Sequence, residues 1–259
     1  MKIINKQSKR IAIVTIGLLY TLTNYGYAQL TNLKDKNTVK EFINLIKERK
    51  VSSLADHVYY PLKREYPLSP IRNKQEFIKR FQEVFDDSLA TTIVSSDPEK
   101  DWSQMGWRGI MLKQGLIWLD GNLIAVNYQS KTERQLIEKL IVKDKLQLYP
   151  GLRNYKRPLL FMQTSKFIIR IDEMKNRNLR YASWSIGTNQ SIKPDLVIDG
   201  GVFTADGSGG NHYYEFSKGI YKYQCYVFVM SENGTPPAQL QVIKGNKKIL
   251  EQNSLILKN

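Results

Sequence analysis

The chain has one cysteine, Cys225, in 259 residues. No internal disulfide can staple it, and its stability has to come from packing. It also has only two histidines, His57 and His212. They are far apart and lack a spacing such as His-x-x-x-His, so we expect no metal and no cofactor. The phosphate-cradling Gly-x-x-x-x-Gly-Lys-Ser/Thr loop, the Gly-x-Gly-x-x-Gly turn and the Gly-x-Ser-x-Gly elbow are all missing. The familiar signatures of nucleotide chemistry and of the α/β-hydrolase nucleophile are therefore absent. After Leu22 there is no second long apolar run, so no membrane span is expected beyond the leader, because a spanning helix needs roughly 20 apolar residues.

What is present begins with that leader. Lys2, Lys6, Lys9 and Arg10 precede an apolar stretch over residues 11–22, and Gly26 and Ala28 supply small residues for a cleavage site. The pattern predicts a cleavable signal peptide over 1–28, a mature chain starting near Gln29, and a periplasmic or secreted location. No cysteine lies near that site, which excludes lipid attachment there. The formal charge is +15, and removing the leader, with four basic and no acidic residues, lowers it to +11. The basic residues are scattered, with short clusters at Arg153, Lys156 and Arg157 and at Lys244, Lys247 and Lys248. Blocks of five or six like charges are missing, so a solvated surface explains most of the charge. An anionic or glycan ligand, such as a phosphorylated envelope glycan, is the functional alternative, and specific nucleic-acid binding is not expected.

The first half reads as short helices followed by strands. Thr38 and Glu41 fit a capping box that opens a helix over 38–49, and Asn73 and Glu76 repeat that logic before Phe77, Phe81, Val84 and Phe85 at helical spacing. Asp87 is placed to cap one more short helix. Three strands are predicted between 106 and 129, with Asp120-Gly121 as a hairpin turn. Ser130 and Glu133 open a further helix carrying Leu136, Ile137, Leu140 and Ile141, which Tyr149-Pro150-Gly151 stops. A basic, aromatic connector leads to a hairpin over 167–186. Beyond it helical periodicity disappears, and short strands are expected near 196–204, 213–216, 221–230, 240–244 and 248–250.

The order of Tyr60-Pro61-Leu62, the 77–85 helix, Gly109-Ile-Met, Gly115-Leu-Ile-Trp118 and Leu123-Ile-Ala-Val-Asn127 resembles extracytoplasmic bacterial members of the nuclear-transport-factor-two-like superfamily. The resemblance covers residues 33–129 and extends to the 167–186 hairpin. It implies a cone in which helices cover a curved antiparallel sheet, with a mouth that some relatives use for small molecules, whereas others serve as accessory or dimerisation domains. A homodimer is compatible with it. The Asp that enzymes of the superfamily use has no matching position here.

Several local sets carry candidate chemistry. Asp56 and His57 beside Tyr59 and Tyr60 form a possible acid–base pair. The loop Asp206-Gly-Ser-Gly-Gly-Asn211 lacks the terminal Glu of an EF-hand and fits a structural turn. Cys225 shares a strand face with Tyr221, Tyr223, Val227 and Val229 and behaves there as a small hydrophobe. The preferred site is built from Arg108, Trp118, Asn127 and Trp107. In a strand running through 106–112, Arg108, Ile110 and Leu112 share one face and Trp107, Gly109 and Met111 the other, with the lining face left open. An Arg with a Trp suits an anionic or sugar-like ligand; the competing and favoured reading is that Trp102, Trp107 and Trp118 are simply core, because large aromatics dominate core packing.

Together these features predict an α+β chain: a signal peptide over 1–28, a cone-like domain over 29–188 with helices on a curved antiparallel sheet, and a small all-β domain over 189–259. The expected function is an exported, non-catalytic binding or accessory protein for an envelope or extracellular ligand. Its alternatives are a cone enzyme using a buried carboxylate, and an inhibitor acting through the C-terminal β-domain.

Overall fold

The computed structural model describes residues 28–29, 32–207, 209–229, 232 and 234–257, so the predicted leader lies outside the described residues except for Ala28. The first part is an antiparallel sheet of five strands in chain order: β1 (Ala28–Gln29), β2 (Trp102–Gln104), β3 (Ile110–Leu112), β4 (Ile117–Asp120) and β5 (Asn122–Val126). Helices α1 (Leu33–Lys47), α2 (Val51–Asp56), α3 (Lys74–Val84) and α4 (Asp87–Val94) cover one face of it.

Local chemistry sets the helix ends. Asn73 caps α3 as expected, its Oδ1 accepting from Glu76 N at 2.9 Å. For α1 the cap is Asn32, which accepts from Lys34 N. Thr38, expected to be that cap, lies inside the helix and donates its hydroxyl to Lys34 O one turn back, a bond that satisfies a threonine in a helix interior. Likewise Asp86, not Asp87, caps α4 by accepting from Leu89 N at 3.0 Å. The core between helices and sheet is dense: Phe77, Phe81 and Phe85 pack together, with Phe81 and Phe85 stacked at 4.9 Å, and Phe42 meets Trp102 edge-on. Ile110, Leu112, Ile117, Leu119, Leu123 and Val126 supply the sheet's side of that core.

The second part begins after α5 (Lys131–Gln147), which Ser130 caps by accepting from Glu133 N. Strands β6 (Arg157–Gln163), β7 (Phe167–Glu173), β8 (Leu179–Ser185), β9 (Leu196–Asp206), β10 (Asn211–Lys218), β11 (Tyr221–Val227), β12 (Ala238–Lys244) and β13 (Lys247–Ile256) each pair antiparallel with the next, and β13 returns to β6. The chain is therefore α+β, with an N-terminal helical part and a closed eight-stranded antiparallel barrel.

This topology differs from the expected layout at one point. The 167–186 hairpin, expected to finish the N-terminal cone, forms β7 and β8 and pairs with β6 and β9, so strand pairing runs unbroken across the 188/189 boundary. β7 and β8 are buried on both faces. Ile169, Ile171 and Tyr181 point into the barrel, whereas Ile168, Ala182 and Trp184 lie under Leu148, Leu152 and Tyr155. Such a continuous buried run does not indicate which sheet it joins. The strand that allows closure, β6, resembles a connector because of its Arg157-Pro158 start. Pro158 is tolerated because β13 pairs with β6 only at Gln163 and Met162, so no neighbour on that side requires its missing N–H.

Ion pairs, most of them buried, fasten the two parts. Arg64, 2% exposed, grips Glu133 through Nε at 2.7 Å and donates to the carbonyls of Val126 and Tyr128 where β5 leads into α5. On the outer wall of the barrel Arg170 bridges Asp144 of α5 and Asp172, while Arg180 joins Asp172 to Leu152 O. Burial opposes the charge on Arg170, but Asp172 and Asp144 outweigh it and raise its pKa. Arg157 completes the seam by reaching both Glu65 and Glu173.

Candidate functional site

A barrel of eight strands has just enough interior to be filled by side chains or to hold one small ligand. This barrel does both, at different levels. Met162, Phe216, Cys225 and Ala238 are at most 1% exposed and pack in its core. The aromatic filling depends on Gly201, where an added Cβ would fall 2.2 Å from the Phe216 ring. Only a residue without a side chain lets that ring lie against β9.

At the end where β7, β9, β11 and β13 start, the interior opens into a pocket of about 280 Å³. The Tyr181 and Tyr223 rings, 5.6 Å apart, form one wall with Tyr221. Leu240 and Val242 of β12, with Ile249 and Leu250 of β13, form another, and Phe167, Leu196 and Ser183 close the rim. The opening has a topological cause. β13 meets β6 only through Leu255–Gln163 and Ile256–Met162, and β6 ends at Gln163, so the earlier part of β13 projects past its neighbour. The lining contains no ionised side chain. Burial raises the pKa of Tyr181 and of Tyr223, so both keep their hydroxyl protons at neutral pH. Burial likewise pushes up the Cys225 thiol, which lies in the barrel core; a buried, protonated thiol is inert as a nucleophile.

The residues singled out from the sequence lie on the other part of the molecule. Arg108 and Trp118 come together, the guanidinium standing 5.7 Å from the indole centre. Asn127 belongs to the same neighbourhood: its Nδ2 donates to Gly115 O at 2.7 Å, and Gly115 packs directly on the Trp118 indole. Trp107 is 63% exposed and is not part of the core, while Trp102 is fully buried in it. Residues Gly106–Arg108 form a 3-10 turn and not the start of a strand, because Gly106 and Gly109 take positive φ and a Cβ at Gly109 would strike Leu119 O. Ile110 and Leu112 face the helices; Met111 and Trp118 pair across the sheet on its opposite face. The Arg108–Trp118 patch therefore sits on the side of the sheet away from the helices.

The acid–base pairing of Asp56 with His57 does not form, since both Asp56 oxygens accept from Lys74 Nζ at 2.6 and 2.7 Å. His57 caps the end of α2 and borders a cavity of only about 20 Å³, room for roughly one water. The 206–211 loop joins β9 to β10, with Gly207 and Gly210 at positive φ. Among the described residues no group of three or more His, Cys, Asp or Glu is arranged to hold a metal, and no helix is long and apolar enough to cross a membrane.

The pocket residues Phe167, Tyr181, Ser183 and Leu250 were not legible as a site in the sequence. The available signal was the shared face of Tyr221, Tyr223 and Cys225 on β11, which marks an inward surface without showing what it encloses. Comparison with family models, with curated proteins and with solved structures finds no match to this chain.

Proposed function

We propose that the protein is an exported, non-catalytic binding protein whose barrel takes up one small, largely apolar molecule. The observation that carries this reading is the open, uncharged pocket lined by Tyr181, Tyr223, Leu240 and Leu250 at one end of the barrel. A concave apolar surface with a few polar groups is the usual form of a small-molecule site, and 280 Å³ is near the lower end of the range for such sites. The buried thiol, and the engagement of Asp56 by Lys74, give catalysis no support. Export and a periplasmic or secreted location rest on the leader pattern alone.

We extend the cone-superfamily kinship to residues 33–129 as part of this proposal. The dense aromatic packing between helices and sheet supports a scaffolding role for that part and lends nothing to a proton-transferring enzyme. Residues 189–259 provide five of the eight barrel strands, which favours a barrel acting as a whole over a detachable inhibitor module. A second reading has its own observation: Arg108 over Trp118 suits an anionic or glycan ligand at the surface.

Fluorescence titration with N-phenylnaphthylamine tests the first reading. The wild-type protein should enhance the probe saturably, and Leu250→Trp, which fills the pocket, should weaken binding by about tenfold while the circular dichroism spectrum stays that of the wild type. No saturable enhancement with the wild type would overturn the proposal.

A further inference from the structure

Resting on the pocket reading above, we infer that its ligand is a neutral amphiphile, an apolar body bearing one hydroxyl, whose polar end is received by Gln252 and Ser254. Strand register places these two side chains. On β13, Leu250 pairs with Val242, Gln252 with Leu240 and Ser254 with Ala238. Val242, Leu240 and Ala238 all belong to the barrel core, and side chains alternate along a strand, so Leu250, Gln252 and Ser254 all face inward. Leu250, Leu240 and Val242 line the pocket. Gln252 therefore stands one inward step below its lining, and Ser254 one step deeper.

Both side chains are chemically out of place in that wall. Gln252 Oε1 and Ser254 Oγ are buried and have no hydrogen-bond partner within the protein, and Ser254 is only 3% exposed. Leaving a buried acceptor unpaired costs stability that a leucine or alanine at the same place would not lose. Tyr181, the other polar group deep in this end, bonds within the protein to Ser183. The remaining unpartnered buried atoms among the described residues do not face the barrel interior: Tyr66 lies outside the barrel strands, and Arg180 turns outward to Asp172 and Leu152 O. The two orphaned oxygens are thus concentrated along the inward face of the strand that forms the pocket wall.

Their chemistry selects the ligand's head. An amide carbonyl oxygen only accepts, and a serine hydroxyl both accepts and donates, so a group that donates one bond and can accept another complements the pair. An alcohol meets that description. A carboxylate is disfavoured, because the pocket lining offers no lysine or arginine to neutralise its charge. Fatty acids and phosphorylated lipids are on this ground disfavoured, although the chain as a whole is basic.

The experiment displaces N-phenylnaphthylamine from the full chain with three ligands of matched length: a linear alcohol, the methyl ether isomeric with it, and the corresponding carboxylate. The wild-type protein should prefer the alcohol to the ether and to the carboxylate by about tenfold, the size expected of one neutral hydrogen bond. In Gln252→Leu combined with Ser254→Ala that preference should vanish while affinity for the probe is retained. Ser254→Ala alone, a smaller change, should reduce the preference partly, and the wild-type selectivity needs no variant to fold. If neither probe nor ligands bind the wild type, the pocket reading and this inference fall together. If the probe binds but alcohol and ether compete equally, if the carboxylate binds best, or if the folded double variant keeps the preference, the inference alone is overturned.

Discussion

The helical part and the barrel solve the same packing problem with opposite results. Against the first sheet, helices α1, α3 and α4 bring Phe42, Phe77, Phe81 and Phe85 into a dense core, beside which a cavity near His57 holds only about 20 Å³. Helices can slide and tilt until ridges meet grooves, so a helix-on-sheet core closes its own gaps. A barrel has no such freedom, because its radius and stagger are set by strand number and register. Where β13 runs past β6, no strand supplies side chains on that side, and a pocket remains. The difference shows that the space available for a ligand follows from strand register here, while the aromatic content of the two parts is similar.

The contrast can be broken in the barrel wall first. Asp172→Ala removes the carboxylate shared by Arg170 and Arg180 and strands buried guanidinium groups; we expect a loss of about 3–5 kcal/mol in urea unfolding. Phe77→Ala should cost about 3–4 kcal/mol, because the helical core cannot fill so large a hole. Tyr223→Ala, at the edge of the pocket, should cost only about 1–2 kcal/mol, since part of that ring already borders open space. Equal losses in this pair would erase the distinction between a filled and an open core.

A smaller effect is expected from acid. Hydrogen bonds from Lys156 and Arg157 hold the Glu173 carboxyl below the usual glutamate value, against the opposing effect of burial. A folded pKa below the unfolded one adds stability at and above about pH 4.3, which is lost as pH falls through the folded value. Glu173→Gln should flatten that portion of the stability curve by roughly 1 kcal/mol, read from denaturant midpoints between pH 3 and 6. Smallest of all, Ser254→Ala should leave ligand-free stability unchanged or raise it slightly, because it removes a buried hydroxyl that has no partner. A clear destabilisation would mean that Ser254 is satisfied within the fold.

The legible parts of the sequence were those governed by near neighbours. The caps at Asn73 and Ser130, the apolar spacing of Phe77 and Phe81, and the Asp120-Gly121 turn all act over a few residues, and α3, α5 and the β4–β5 hairpin appear where those signals put them. Thr38 failed as a cap because a threonine hydroxyl is as well satisfied by a helical carbonyl. The short strand β2 was hidden by the polar run before it, although Trp102 is among the most buried residues in the chain. The Arg108, Trp118 and Asn127 cluster was reachable because it lies on and beside consecutive strands. The barrel pocket was not, since its walls come from residues as distant as Phe167 and Leu250.

The sequence by itself determined that the molecule holds together without disulfides, that a helix-rich part comes before a strand-rich one, and that most strands follow one another as hairpins. It did so because caps, turns and alternation are local. Only the tertiary structure decided that β6 pairs with β13, that the 167–186 hairpin belongs to the barrel, and that Gln252 and Ser254 point inward beside an open pocket. Those outcomes depend on which strand edges meet across ninety residues of chain and in what register, and a one-residue shift there would turn every inward side chain outward.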